Sequence, residues 1–254
     1  MIYDVQKASM WKRFSAYLLD VILLVILAVG VAFLLSISLG YDAKYQQRED
    51  IRVSYEQQYG VDFDIPKEDY DKLSEADRKE IDDAYTAFVT DPTVNEIDLV
   101  LANLILIIIS FSTLIPYLAL EFAVPLLFKN GQTLGKKVFG VAVMRVDGVR
   151  ITPLQLFIRS ILGKCTVGTI LPILLLLMWL FNFMPMVGMI GLFAIIIIQF
   201  FCVVSTRLHT AIHELISATV SVDMSSQLIF DTPEALLEYK QNLHEQQVKK
   251  SSYM

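Results

Sequence analysis

The chain has 254 residues, 55% of them hydrophobic, with a formal net charge of −6 and two cysteines. Soluble domains are typically about 45–50% apolar; here the apolar residues collect in long blocks, which excludes an ordinary soluble domain and points to helices that cross a bilayer. The acidity is local: residues 40–96 hold 16 Asp and Glu against 7 Lys and Arg, a net of −9, so the remainder carries +3, and no basic surface calls for a nucleic-acid partner.

Residues 1–12 read as a short polar arm on the cytoplasmic side. Residues 13–39 form the first transmembrane helix, too long and too polar at Asp20 for a cleaved signal, and Gly40 ends it. An ionised residue inside such a helix costs roughly 2.5–3.5 kcal/mol on insertion scales, so Asp20 needs a partner. Arg13 lies seven residues earlier, two turns away on the same face.

Residues 40–96 form an acidic extracytoplasmic loop. Within it LSEADRKEIDDAYTAFV reads as an amphipathic helix, N-capped by Ser74 with Asp77 three residues on and stopped at Asp91-Pro92. Residues 97–120 are the second transmembrane helix, with a kink expected at Pro116, and Glu121 falls at its inner end. Residues 121–160 are a basic cytoplasmic segment. From 129 to 164, Lys129, Lys136, Lys137, Arg145, Arg150, Arg159 and Lys164 stand against a single acid, Asp147, which marks the inner side.

GQTLGKK is not a phosphate-binding loop, because three residues rather than four separate Gly131 from Gly135-Lys136 and no Ser or Thr follows. It reads as a turn in which Gly131, Thr133, Gly135 and Lys136 sit at the inner face, with the lysines toward the leaflet. Asp147-Gly148 marks a hairpin with a type I′ turn. Thr152-Pro153 opens an interfacial helix. Residues 161–205 exceed one bilayer span and split at Asn182 to Pro185 into a third helix, 161–181, and a fourth, 186–205. The tail, 206–254, is cytoplasmic. Strands around 141–145 and 149–151 are expected to pair with 219–222, with Val143 opposite Val220 or one residue to either side.

Cys165 and Cys202 read as apolar fillers. His209 and His213, four apart and followed by Glu214, have zinc-compatible spacing without a third ligand; a structural role, a metal and a pH sensor stay open. No nucleophile, base and orienting group assemble, so no enzyme is expected. The informative set is polar residues inside apolar runs: Arg13, Asp20, Glu121, Gln199, Arg207 and Glu214. They fall near one depth and should face one another, either as a proton- or cation-linked site or as an ion-pair lock between helices.

KRFSAYLLDVILL, EFAVPLLFKNGQTLGKKVFGVAVMRVDG and RLHTAIHELISATVSV together resemble the RDD family of small bacterial integral membrane proteins, named for an arginine and two aspartates. Arg13 and Asp20 match the first two. The family's later His-Asp falls on His213-Glu214, and Ala218 stands where the family has glycine. The resemblance covers roughly 10–40 and 97–223. It implies an inner-membrane location and a transport role, with sodium/proton exchange linked to a few members.

The sequence therefore reads as an all-α membrane protein with four transmembrane helices, cytoplasmic N- and C-termini, an acidic extracytoplasmic loop and a small cytoplasmic β hairpin or sheet. Its expected partners are the lipid bilayer of the plasma membrane, monovalent cations and protons, and a second copy of itself; no cofactor is expected. Two functions are open: proton-coupled transport of a small solute or cation through Asp20, and a non-catalytic scaffold whose buried charges only lock the helices.

Overall fold

The computed structural model describes residues 4–180, 184–205 and 210–252. They are mostly helical. In chain order the elements are α1 (Met10–Leu39), α2 (Tyr41–Tyr59), α3 (Lys67–Tyr70), α4 (Glu75–Thr90), α5 (Pro92–Phe128), α6 (Leu134–Val138), β1 (Val141–Arg145), α7 (Pro153–Leu180), α8 (Pro185–Ser205), α9 (Ile212–Ile216), β2 (Thr219–Asp223) and α10 (Pro233–Ser252). α1, α5, α7 and most of α8 are long and apolar enough to cross a membrane. Large side chains such as Val29, Phe33, Phe193 and Phe200 are exposed on them. Apolar surface on that scale is what lipid contact requires.

Backbone proximity divides the chain into two compact units, Ile26–Pro116 and the remainder, Met1–Val25 with Tyr117–Met254. In the first unit Gly40 adopts φ 70, a left-handed backbone that glycine tolerates, so α1 ends there and α2 begins. A polar loop is expected at this point; the structure has a 19-residue helix. Arg52 bonds Glu49 and Glu56 along the face of this helix and Asp64 beyond its end. Ser74 caps α4 as expected, accepting from the Asp77 amide at 3.2 Å. Phe88, from α4, is 1% exposed. Tyr55 and Phe63 pack against it, and the Arg48 guanidinium lies 5.2 Å from its ring centroid.

In the second unit β1 and β2 pair antiparallel. Val143 stands opposite Ser221 and Met144 opposite Val220, one residue from the expected pairing of Val143 with Val220. Alternation then buries both faces. Ala142, Met144, Val220 and Val222 form one cluster, and Val143 packs with Ile151 and Leu156 on the other. Lys7 bridges to Val222, so the N-terminal arm extends the sheet. Residues 149–151 pair not with β2 but by single bridges, Arg150 with Met144 and Val149 with Phe230.

The turn after β1 is not type I′. That type needs φ > 0 at both central residues, and only Gly148 (φ 92) has it. Arg145 accepts from the Gly148 amide and donates to Val149 O. The loop therefore has three residues, with glycine in the left-handed position.

α7 corrects a boundary. The expected interfacial helix and third span form one helix from Pro153 to Leu180, because Thr152 and Gln155 make a capping box at its start and nothing breaks it afterward. Residues 158–170 of it are wound as π-helix, as are residues 119–123 of α5, just after Pro116. The break before α8 includes Met184 at φ 51; Asn182 and Phe183, on which the expected split partly rests, lie outside the described residues. Gly188 lets α8 approach α7 closely, since a Cβ there would sit 2.6 Å from Leu175 O.

Candidate functional site

Arg13, Asp20, Glu121, Gln199 and Glu214 all line one cavity of about 350 Å³. Arg207 and His209 lie outside the described residues. The cavity also takes in Lys136, Arg159, Lys164 and His213. Among the described residues, four cations thus face three carboxylates, from segments far apart in sequence.

Glu214 is the most enclosed of the acids, 1% exposed. Its Oε2 accepts from Arg13 at 2.7 Å and from the Ala211 amide at 3.1 Å. Its Oε1 accepts from Arg159 at 3.0 Å and from the Ser221 hydroxyl at 2.5 Å. Arg159 also donates to Thr219 Oγ1 at 2.6 Å. α1, α7, α9 and β2 therefore meet on one carboxylate. Burial pushes this carboxyl up, but Arg159 and Arg13 outweigh it and hold it at about 2. Glu214 is ionised at any physiological pH. Burial, with Arg159 adding to it, keeps His213 well below the ordinary histidine range, so it stays neutral beside the cavity. That argues against a pH sensor there.

Asp20 does not pair with Arg13. Its Oδ2 accepts from the Thr133 hydroxyl at 2.5 Å and its Oδ1 from the Gly135 amide at 2.7 Å. Thr133 in turn caps α6. The two glycines of the GQTLGKK turn are needed for different reasons. Gly131 has φ 65, and a Cβ on it would lie 2.9 Å from Val143 Cβ. A Cβ on Gly135 would lie 2.2 Å from Ala16 O and 2.9 Å from the Asp20 carboxyl carbon. Only glycine lets the turn lie flat on α1.

Glu121 sits on the π-helical turn of α5 and takes an ion pair from Lys164, on the π-helical stretch of α7. Ser160 joins the two by donating to Glu121 O at 2.7 Å, and Tyr117 donates to Ser160 O at 2.7 Å. Wide π turns recur at functional sites because they re-aim side chains. Gln199, on α8, accepts from the Ile212 amide at 3.3 Å.

The lysines were expected to face the leaflet. Lys137 is exposed, its ammonium 3.9 Å from the Phe128 ring centroid. Lys136 instead lines the cavity. Among the described residues its ammonium makes no hydrogen bond or ion pair, although Arg159, Glu121, Lys164 and Asp20 all act on it. Burial, reinforced by Arg159, lowers it to about 7.

Sequence reasoning did not find Lys164 as the partner of Glu121 or the cavity role of Lys136. Arg159 and Lys164 are five apart, about 140° round an α-helix and so on different faces. The π winding brings both to the cavity. The four-fifths of the chain from residue 7 to 218 matches the family model described as the RDD family. No curated protein and no solved structure matches the chain.

Proposed function

The chain belongs to the RDD family, and on that premise we propose that this multi-pass membrane protein transports a small charged solute through the cavity bounded by Glu121, Lys136 and Lys164. One observation carries the reading. The cavity is large enough for a small molecule, and seven charged side chains drawn from separate segments turn toward it. Charges among transmembrane helices are costly and mark substrate and ion pathways, and a buried ion pair is weak evidence for stability. Basic residues on the segment between α5 and α7 orient the cavity to the cytoplasm, with the plasma membrane as the location. Four spans are few to enclose a pathway, so a homodimer is the proposed transporting unit.

Within this reading Asp20 is an anchor and not the coupling group. Its two oxygens are already held by Thr133 and Gly135, and it is 6% exposed. Glu121 and Lys136 are the groups whose charge a solute would meet. The second reading is a scaffold without transport. The Arg13–Glu214–Arg159 cluster favours it, because that cluster welds the arm, the sheet and α7 whether or not anything moves through.

The test is flux. Purified protein is reconstituted in proteoliposomes with a pH-sensitive dye inside and an imposed pH gradient, and salts of sodium, lithium and potassium with different anions are added. Solute-triggered collapse of the gradient, absent from protein-free vesicles, supports transport. No collapse with any salt, from folded protein, favours the scaffold.

A further inference from the structure

We propose that the solute group held in this cavity is a small oxyanion, a carboxylate, sulfate or phosphate, received by the Lys136 ammonium with Lys164 beside it. The inference rests on the reading of the cavity as a solute site and adds its chemistry.

The charges on the walls decide the sign. Among the described residues Arg13, Lys136, Arg159 and Lys164 face Asp20, Glu121 and Glu214, four against three, with His213 neutral. Each carboxylate already has donors. Asp20 is held by Thr133 and Gly135, Glu214 by four groups, and Glu121 by Lys164. Arg13 and Arg159 are committed to Glu214. A cation entering would displace a donor from Asp20 or Glu214, or would meet only Glu121 Oε2, on a carboxylate whose charge Lys164 already balances. An anion would not, because Lys136 has no direct partner among the described residues and carries the surplus charge. Charge-assisted bonds from an ammonium to an oxyanion are about twice as strong as neutral ones. Burial lowers the proton affinity of Lys136 most, and the field of Arg159 and Lys164 from α7 adds to it, opposed by Glu121 from α5 and Asp20 from α1. An arriving anion would relieve that field. Space is not limiting, since about 350 Å³ holds an organic acid as well as an inorganic ion.

The probes are radiolabelled sulfate and radiolabelled succinate, bound to full-length protein in detergent at pH 6 and competed with unlabelled anion or with chloride at matched ionic strength. Saturable binding that chloride does not compete is expected. Lys136→Gln should weaken it roughly tenfold or more. Lys136→Arg, which keeps a cation, should retain most of it, and Lys137→Gln should leave it unchanged. Binding of neither label in wild type, competition by chloride alone, or binding that Lys136→Gln leaves intact overturns the proposal. Wild type against chloride decides the matter even where the Gln variant does not accumulate.

Nanodiscs of phosphatidylcholine, with and without phosphatidylglycerol, separate the sources. Displacement of label by the anionic lipid places the oxyanion on a headgroup, and no displacement places it on a soluble solute. Oxyanion binding without uptake into proteoliposomes keeps this inference and removes the transport reading. Cation-driven flux without oxyanion binding does the reverse.

Discussion

Arg13 and Glu214 are 201 residues apart, yet their side chains meet at 2.7 Å. That contact joins the first turn of α1 to the segment just before β2, and Arg159 completes it from α7. Arg13 and Glu214 therefore bond each other, while Asp20, on the same helix as Arg13, anchors a turn.

Removing one partner from a buried pair leaves an uncompensated charge, which costs about 3–5 kcal/mol. Glu214→Gln should therefore lower the melting temperature in detergent sharply, while Glu214→Asp, which keeps the charge on a shorter arm, should lower it less. Equal melting of all three proteins would show that the pair does not hold the fold.

The same residue sets an acid limit. Its folded value of about 2 lies below the ordinary 4.5. Its contribution is therefore present above about 4.5 and is lost as the pH falls from there toward 2. Melting temperature should decline through that window in wild type and decline less in Glu214→Gln. A parallel decline in both would assign the acid limit to other groups.

Gly135→Ala should be poorly tolerated. Its methyl would lie 2.2 Å from Ala16 O, on a helix backbone that cannot yield cheaply. Expected is a loss of about 2 kcal/mol or more, of the size that overpacking gives, with reduced accumulation in membranes. A variant as stable as wild type would mean that α6 does not lie on α1 this closely.

Ala218 has φ 51, where a Cβ is strained by about 1–2 kcal/mol. This is the position where the resemblance calls for glycine. Ala218→Gly should raise the melting temperature, with the gain trimmed by the greater freedom of an unfolded glycine. A fall would place the strain elsewhere.

Register is testable by chemistry. In a background without Cys165 and Cys202, cysteines at Val143 and Ser221 face each other directly and should form a disulfide. The pair Val143 and Val220 should crosslink poorly, since adjacent strand residues point to opposite faces.

The apolar blocks made the four spans legible, and the Ser74 cap and the Gly40 stop were legible from residue type alone. The polar cluster was legible as a set, because Asp20, Glu121, Gln199 and Glu214 cannot face lipid. Who pairs with whom was not. Arg13 and Asp20 share a face by α-helical spacing, but spacing says nothing of Glu214 and Thr133 arriving from elsewhere. Lys164 was hidden by the π winding, which no periodicity announces. α2 was missed because its sequence is mostly polar with no apolar stripe, and it is tied down by contacts from elsewhere, Tyr55 and Arg48 on Phe88, beside its own ion pairs such as Arg52 with Glu56. The one-residue register difference shows what alternation leaves open when a strand is buried on both faces.

The measurement that bears most directly on the transport account is gradient collapse in everted membrane vesicles, comparing wild type, Lys136→Gln and Asp20→Asn at matched protein levels. If the cavity is the solute site and Asp20 an anchor, Lys136→Gln accumulates but loses solute-triggered collapse, and Asp20→Asn loses accumulation or stability while the protein that does fold keeps its activity. A stable Asp20→Asn without activity, beside a Lys136→Gln that works as wild type, would contradict the account and return the coupling role to Asp20.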